Sequence, residues 1–365
     1  MTDLRLDIDA DIRRAATPPA AMYRDRAWFE RISERVMRRA WHPIVDAGGA
    51  PPPGTLQALD LLPGCIDEPL LLATDEGGAT RCLSNVCTHR GNLLVEKSAG
   101  AAQSTSIRCV YHGRRFGLDG RFLSMPRFEG VTGFPSKADD LPRVPLGEWA
   151  RMRFAALSPA QPFDAWIAPA RERLASLPVE TWTLDAAASK DYEIAANWAL
   201  YVDNYLEGFH IPFVHPALAK ALDVSAYSTT PLSTGVLQVG IAPPGEPTLP
   251  LAATHPDHGK GVAAYYLWLF PTTMLNVYPW GLSVNVVQPL APDRTRVSFR
   301  TYVGDASRRA TGAGADLHGV EMEDEAIVER VQRGIRSRLY DRGRYSPTRE
   351  TGVHHFHRLL LDRLA

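Results

Sequence analysis

Two pairs of potential metal ligands lie close together in the first third of the chain. They are Cys87-Thr88-His89 and, after nineteen intervening residues, Cys109-Val110-Tyr111-His112. Two thiolates and two imidazoles in this arrangement can hold a 2Fe–2S cluster, with the cysteines on one iron and the histidines on the other. The same four side chains could bind tetrahedral zinc, but zinc fingers favour a cysteine pair followed by a histidine pair. Four cysteines in 365 residues are too few for a disulfide scaffold. A reducing, cytoplasmic setting and metal chemistry are therefore the expectation. Cys65 and Cys82 have no partner pattern and read as inert buried thiols.

A second constellation comprises Asp203, Glu207, His210 and His215. A helix over 197–209 would put Asp203, Glu207 and His210 on one face, at i, i+4 and i+7. Pro212 disfavours helical backbone at Ile211, so that helix should end there and let His215 fold back toward His210. Two histidines and one carboxylate are the set with which ferrous iron activates dioxygen while keeping positions open for oxygen and substrate. The missing acid must come from elsewhere, and Glu321, Glu323, Asp324 and Glu325 are candidates. On a helix Val320, Asp324, Val328, Val331 and Ile335 form one stripe, which sets Asp324 among aliphatics, where an unpaired charge is costly. Glu321, near the edge of the stripe, is the fallback. His354, His355 and His357 have no accompanying carboxylate or cysteine and read as structural or solvent-facing.

Around the first pairs, Cys87-Thr-His-Arg-Gly91 and Cys109-Val-Tyr-His-Gly113 resemble the signature loops of Rieske oxygenase α subunits. Glu323-Asp324, followed by Val331-Gln-Arg-Gly-Ile335 and Ser337-Arg-Leu-Tyr340, resembles the C-terminal signature of choline monooxygenase-like members. The similarity runs from Trp41 to the C-terminal helix. Two departures are visible: a longer spacer, with the extra residues in Ser98–Thr105, and Arg114 where many members carry Trp. Neither is a ligand position. The resemblance implies an α+β fold, with a small antiparallel β Rieske domain beside a helix-grip (START-like) catalytic domain of antiparallel sheet and C-terminal helices. It implies a 2Fe–2S cluster on Cys87, His89, Cys109 and His112, and a mononuclear Fe(II) on His210, His215 and Asp324. It also implies electrons from NADH through a separate reductase, with or without a ferredoxin, and a homotrimer. In that family a carboxylate joins a cluster-binding histidine of one subunit, here His112, to an iron-binding histidine of its neighbour. Its three-residue offset from His210 maps it to Glu207, with Asp203 as the alternative. A Glu here resembles carnitine- and glycine-betaine-type oxygenases, a lean toward a quaternary or methylated amine substrate. Aromatic ring hydroxylation and aryl O-demethylation are the alternatives. A non-catalytic Rieske electron-transfer protein would need neither His210, His215 nor Asp324.

The elements that must position these residues follow from pattern. Arg24–Ala40 reads as an amphipathic helix carrying Trp28, Phe29, Ile32, Val36 and Met37. Thr55–Leu62, Pro69–Thr74 and Thr80–Val86 read as strands, and Pro-containing turns near residue 158 mark a boundary. The expected division is a helical segment 1–40 packing on the catalytic domain, a Rieske domain 41–157 and a catalytic domain 158–365. Thr181–Ala196 is strand-like. Ala263–Phe270, Thr273–Pro279, Leu282–Leu290 and Thr295–Val303 read as successive strands, followed by helices over 316–340 and 353–364. The intervening Gly240–Gly261 is expected as a loop near the pocket entrance. Phe270, Tyr278 and Trp280 are candidates for an aromatic cage around a cation, with core packing as the plain reading. Gly312-Ala-Gly314 lacks the third glycine of a dinucleotide fingerprint. A net charge of −1 argues against nucleic acid or a membrane surface as partner, and no apolar run is long enough to span a bilayer.

Overall fold

The computed structural model describes residues 4–45, 51–97 and 102–365. Part of the long spacer, residues 98–101, lies outside them. The chain divides into two compact units, Trp41–Ala160 and Met1–Ala40 with Gln161–Ala365.

The N-terminal helix α1 (Arg26–Arg35) forms because Trp28, Phe29 and Ile32 recur on one stripe and bury together. A short 3-10 turn at Met37–Arg39 continues it. In the 41–160 unit the chain runs as β1 (His42–Val45), β2 (Thr55–Leu61), β3 (Glu68–Thr74), β4 (Thr80–Ser84), β5 (Ala102–Gln103), β6 (Ile107–Arg108), β7 (Arg115–Phe116), β8 (Phe122–Ser124), β9 (Arg143–Val144), β10 (Leu146–Trp149) and β11 (Met152–Ala155). These make a five-stranded sheet β5-β2-β3-β4-β9 and two three-stranded sheets, β6-β7-β8 and β1-β11-β10. Leu71, Leu83, Ile107 and Phe116 form its core, and Cys87 and Cys109 belong to the same buried cluster.

The other unit adds α2 (Phe163–Arg173), β12 (Thr183–Ile194), α3 (Trp198–Tyr205), α4 (Ile211–Val214), α5 (Leu218–Ala221), β13 (Asp223–Leu232), β14 (Gly235–Ile241), β15 (Val262–Leu269), β16 (Thr273–Tyr278), β17 (Gly281–Ala291), β18 (Arg294–Val303), α6 (Leu317–Gly334) and α7 (Thr351–Leu364). Its antiparallel sheet has the order β12-β18-β17-β16-β15-β14-β13. The central strand β16 is buried at all six residues, whereas β18 alternates with period two. The expected α+β class is met. The N-terminal segment is held within this unit: Gln332 Nε2 donates to Tyr23 O at 3.3 Å, and Arg24 Nη1 to Ile335 O at 3.3 Å.

Three elements differ from expectation. The hairpin β13–β14 occupies a stretch that reads as irregular, because β13 is an edge strand, half Ser, Thr and Ala, with no fully buried residue. Helix α2, in a stretch whose sequence pattern marks only a boundary, follows directly on Pro162 and buries Trp166, Ile167 and Ala170. Of the segment 242–261, Ala242 packs on the cluster of Tyr278 and Trp280, while none of its residues lines the cavity described below. Its Asp257 pairs with Arg173 of α2, and its His255 ring nitrogen lies 3.0 Å from Arg173 O. Among the described residues no helix is long and apolar enough to cross a membrane.

Candidate metal centres

In the smaller unit the two Cys–His loops are built alike. Gly91 N–H donates to Cys87 O, and Gly113 N–H to Cys109 O, both at 3.0 Å. Each glycine sits at positive φ, +70° and +75°, where a side chain would be strained. Cys87 and Cys109 are both 2% exposed. Their loops bring the His89 and His112 rings to 4.8 Å between centroids. His112 Nδ1 is buried with no hydrogen-bond partner among the described residues. A buried imidazole nitrogen without a partner is costly unless an ion takes its lone pair, so these four residues fit a cluster. Burial pushes the Cys87 thiol pKa up, and burial together with the charges of His112, Arg90 and Arg114 lowers that of His89. A metal reverses the first effect, since it binds thiolate.

In the larger unit Asn197 caps α3, its side chain accepting Ala199 N–H at 2.9 Å. The helix ends at Tyr205, earlier than its pattern suggests, so Asp203, Glu207 and His210 do not share one helix face. The reason is Glu207. Its Oε2 accepts the N–H groups of Phe209 and His210, the latter at 3.0 Å, in the turn that precedes α4. Pro212 therefore does not push Ile211 out of the helical region. It occupies the first turn of α4, where proline is tolerated. Gly208 is required at the break because a Cβ there would meet the Tyr227 ring at 2.7 Å.

The turn brings His210 and His215 to 5.1 Å between ring centroids. Asp324 Oδ1, reaching in from α6, lies 2.9 Å from His215 Nε2 and 3.6 Å from His210 Nε2. One ligand atom from each of His210, His215 and Asp324 lies within 4.8 Å of the others. The opposite ring nitrogens are also held. His210 Nδ1 lies 2.6 Å from Glu207 Oε1, and His215 Nδ1 lies 2.6 Å from Glu323 Oε2. Carboxylates behind the imidazoles fix their tautomer and orientation and make them better ligands. Burial opposes protonation of His215, but Asp324 and Glu323 outweigh it and raise its pKa. With two convergent Nε2 atoms and one carboxylate, the set fits ferrous iron.

The helical phase of α6 needs correction. Its buried line is Glu321, Val328 and Gln332, while Val331 is exposed. Glu321, 2% exposed, is thus the acid at the centre of the stripe, held by Tyr201 Oη–H at 2.7 Å. Burial raises its pKa far above the carboxylate range. Asp324 sits at the stripe's edge, facing the histidines. Helical phase shows only that Glu323 points to one side; the fold places His215 there. Asp203 turns away from His210: Tyr23 Oη–H donates to its Oδ2 at 3.0 Å, and His357 Nε2 lies 2.8 Å from its Oδ1. His357, 1% exposed, also meets Tyr345 Oη through Nδ1 at 2.7 Å. His354 and His355 bond to backbone carbonyls of Asp9 and Leu232. The three C-terminal histidines are structural.

A cavity of about 600 Å³, counting its open mouth, adjoins the His210–His215–Asp324 group. Tyr205, Tyr227, Tyr266 and Tyr278 contribute aromatic walls, and Leu218, Phe299 and Val320 apolar ones. Tyr227 and Tyr266 stack at 6.3 Å, and Tyr278 stands edge-on to Tyr266 at 6.0 Å. Burial raises the pKa of all four phenols, so they stay neutral. Of the expected cage residues only Tyr278 lines the cavity. Phe270 packs on Trp268, and Trp280 stacks behind Tyr278 and donates to Gly314 O.

Residues 179–365 match the catalytic domain of the ring hydroxylating alpha subunit, and residues 53–135 match the Rieske [2Fe-2S] domain. The chain belongs to the ring-hydroxylating alpha subunit family. It is a Rieske non-haem iron oxygenase, an oxidoreductase whose cofactors are a 2Fe–2S cluster and a mononuclear iron. It is similar to chloroplastic choline monooxygenase of Arabidopsis thaliana, 28% identical, with 97% of this chain and 84% of the relative covered. It is likewise similar to the carnitine monooxygenase oxygenase subunit of Escherichia coli (strain K12), 29% identical, covering 96% and 94%. In fold it matches a quaternary ammonium Rieske monooxygenase, with TM-score 0.79, 24% identity and 99% of each chain covered. It also matches naphthalene 1,2-dioxygenase from Rhodococcus sp., with TM-score 0.71, 18% identity and 95% and 94% covered.

Proposed function

We propose that this terminal oxygenase hydroxylates or demethylates a quaternary or methylated amine, in the balance R–H + O2 + NADH + H+ → R–OH + NAD+ + H2O. The observation that carries this reading is the tyrosine-walled cavity beside the two-histidine, one-carboxylate group. Neutral phenol rings present negative π faces, and several around one space suit an ammonium group that a water-filled site would not retain. The choline and carnitine monooxygenases among its relatives support the same substrate class.

Ferrous iron on His210, His215 and Asp324 would supply dioxygen activation, and a cluster on Cys87, His89, Cys109 and His112 would supply single electrons. The protein's own groups do the rest. Glu207 and Glu323 each hold the Nδ1 proton of a histidine, so that both Nε2 atoms face inward. Tyr205 Oη donates to Asn276 Oδ1 at 2.7 Å, fixing one wall. Leu218, Phe299 and Val320 keep water from the reacting carbon. Electrons come from NADH through a separate reductase. In a homotrimer, Glu207 would join His210 to His112 of a neighbouring copy, and its 2.6 Å contact with His210 supports that role over Asp203.

A panel of quaternary amines, methylated amines, benzoates and methoxyarenes, assayed with a reductase for NADH consumption and product mass, tests the proposal. Coupled turnover of an amine is expected. A hydroxylated or demethylated aromatic product without an amine response would overturn the substrate class.

A further inference from the structure

Arg114 directly follows the second cluster loop, and its backbone O accepts the N–H of Cys109 at 2.8 Å. Its side chain is 2% exposed. The guanidinium carbon lies 5.0, 5.5 and 5.7 Å from the ring centres of Phe122, Phe134 and Phe116. Nη2 donates to Asp139 Oδ1 at 2.6 Å and to Asp139 O at 3.2 Å, while Nε has no partner among the described residues. Asp139 is itself anchored, its Oδ2 accepting Ser136 N–H at 2.7 Å and Ser136 Oγ–H at 3.1 Å. The same Asp139 carbonyl accepts Thr88 Oγ–H at 2.9 Å, and Thr88 stands between Cys87 and His89.

Both ligand loops are therefore tied to one carbonyl, and a buried cation is held beside them. A clamp alone would not require a charge in an aromatic pocket, where desolvation is costly. We propose that Arg114 tunes the Rieske cluster: its buried positive charge, offset only in part by Asp139, raises the potential at which the cluster accepts an electron. Reduction adds one negative charge to the cluster, and a nearby cation stabilises the reduced state more than the oxidised one. Because the cation is buried, salt screens it little. The inference rests on cluster assembly at these four ligands and goes beyond it.

The test is direct voltammetry of the purified holoprotein, with electron paramagnetic resonance of the reduced cluster as the check on loading. Arg114→Met is expected to lower the one-electron reduction equilibrium by about tenfold, a shift of about 59 mV to more negative potential. Asp139→Asn, which leaves the cation uncompensated, should shift it in the opposite direction. Arg114→Lys should stay near wild type. Should Arg114→Met not hold a cluster, the sign of the Asp139→Asn shift decides. Unmoved potentials in loaded variants, or a shift of the same sign in Arg114→Met and Asp139→Asn, overturn this inference alone. A wild-type protein that assembles no cluster overturns the reading of the four ligands, and this inference with it.

Discussion

Glu207→Gln separates the work of a charge from the work of a shape. The substitution keeps a side-chain oxygen that can accept from the backbone of Phe209 and His210, so the start of α4 should survive. It removes the charge that holds His210 Nδ1 at 2.6 Å. The single amide oxygen stays on those backbone groups, so the Gln NH2 faces His210 Nδ1 and the charge-assisted hydrogen bond, about 1.5–3 kcal/mol net, is lost whole. That is roughly ten- to a hundredfold in affinity for an ion held by His210. Glu323→Gln is the internal control. Its partner His215 is buried, but Glu323 itself is 43% exposed, so solvent already screens its charge and the loss should be smaller. Anaerobic Fe(II) titration against a competing chelator measures both. At saturating iron Glu207→Gln should load fully yet stall in single turnover, the reduced cluster passing its electron slowly. Wild-type iron affinity and turnover in Glu207→Gln would refute both the orienting role and the inter-subunit route.

The other predictions concern ligands and packing. Asp324→Ala should keep the cluster colour but lose about one iron per chain and all turnover, whereas Glu321→Ala should keep that iron; the reverse, read by metal analysis, would mean the wrong acid was chosen. Cys109→Ser should abolish the visible absorption of the cluster. Gly208→Ala forces a methyl against Tyr227 and should cost about 1–3 kcal/mol, seen as a lower thermal midpoint. His357→Phe leaves Asp203 and Tyr345 without their buried partner and should destabilise by about 1–3 kcal/mol, with both iron centres still loaded.

The juxtaposition of the two Cys–His loops was legible because each pair's spacing is local. Each pair lies within one turn, and a glycine four residues after the cysteine closes that turn. The iron group was legible in its residue types and less so in its geometry. His210 and His215 lie on a turn whose shape depends on Glu207 accepting backbone N–H groups, which no helical periodicity reveals. Asp324 was chosen on a stripe argument that better describes Glu321, because a one-dimensional phase cannot show which way α6 is rotated against its neighbours. The tyrosine wall was missed for a related reason. Tyr205, Tyr227, Tyr266 and Tyr278 come from α3, β13, β15 and β16, and only the tertiary fold brings them together. The hydrophobic strands β15 to β18 announced themselves by composition, while the polar edge strand β13 did not.

Metal and sulfide analysis of anaerobically purified protein tests the central claim, that one chain holds two distinct iron centres. About three irons and about two labile sulfides per chain are expected, with a Rieske-type resonance on reduction. Zinc in place of iron, with no labile sulfide, would contradict it.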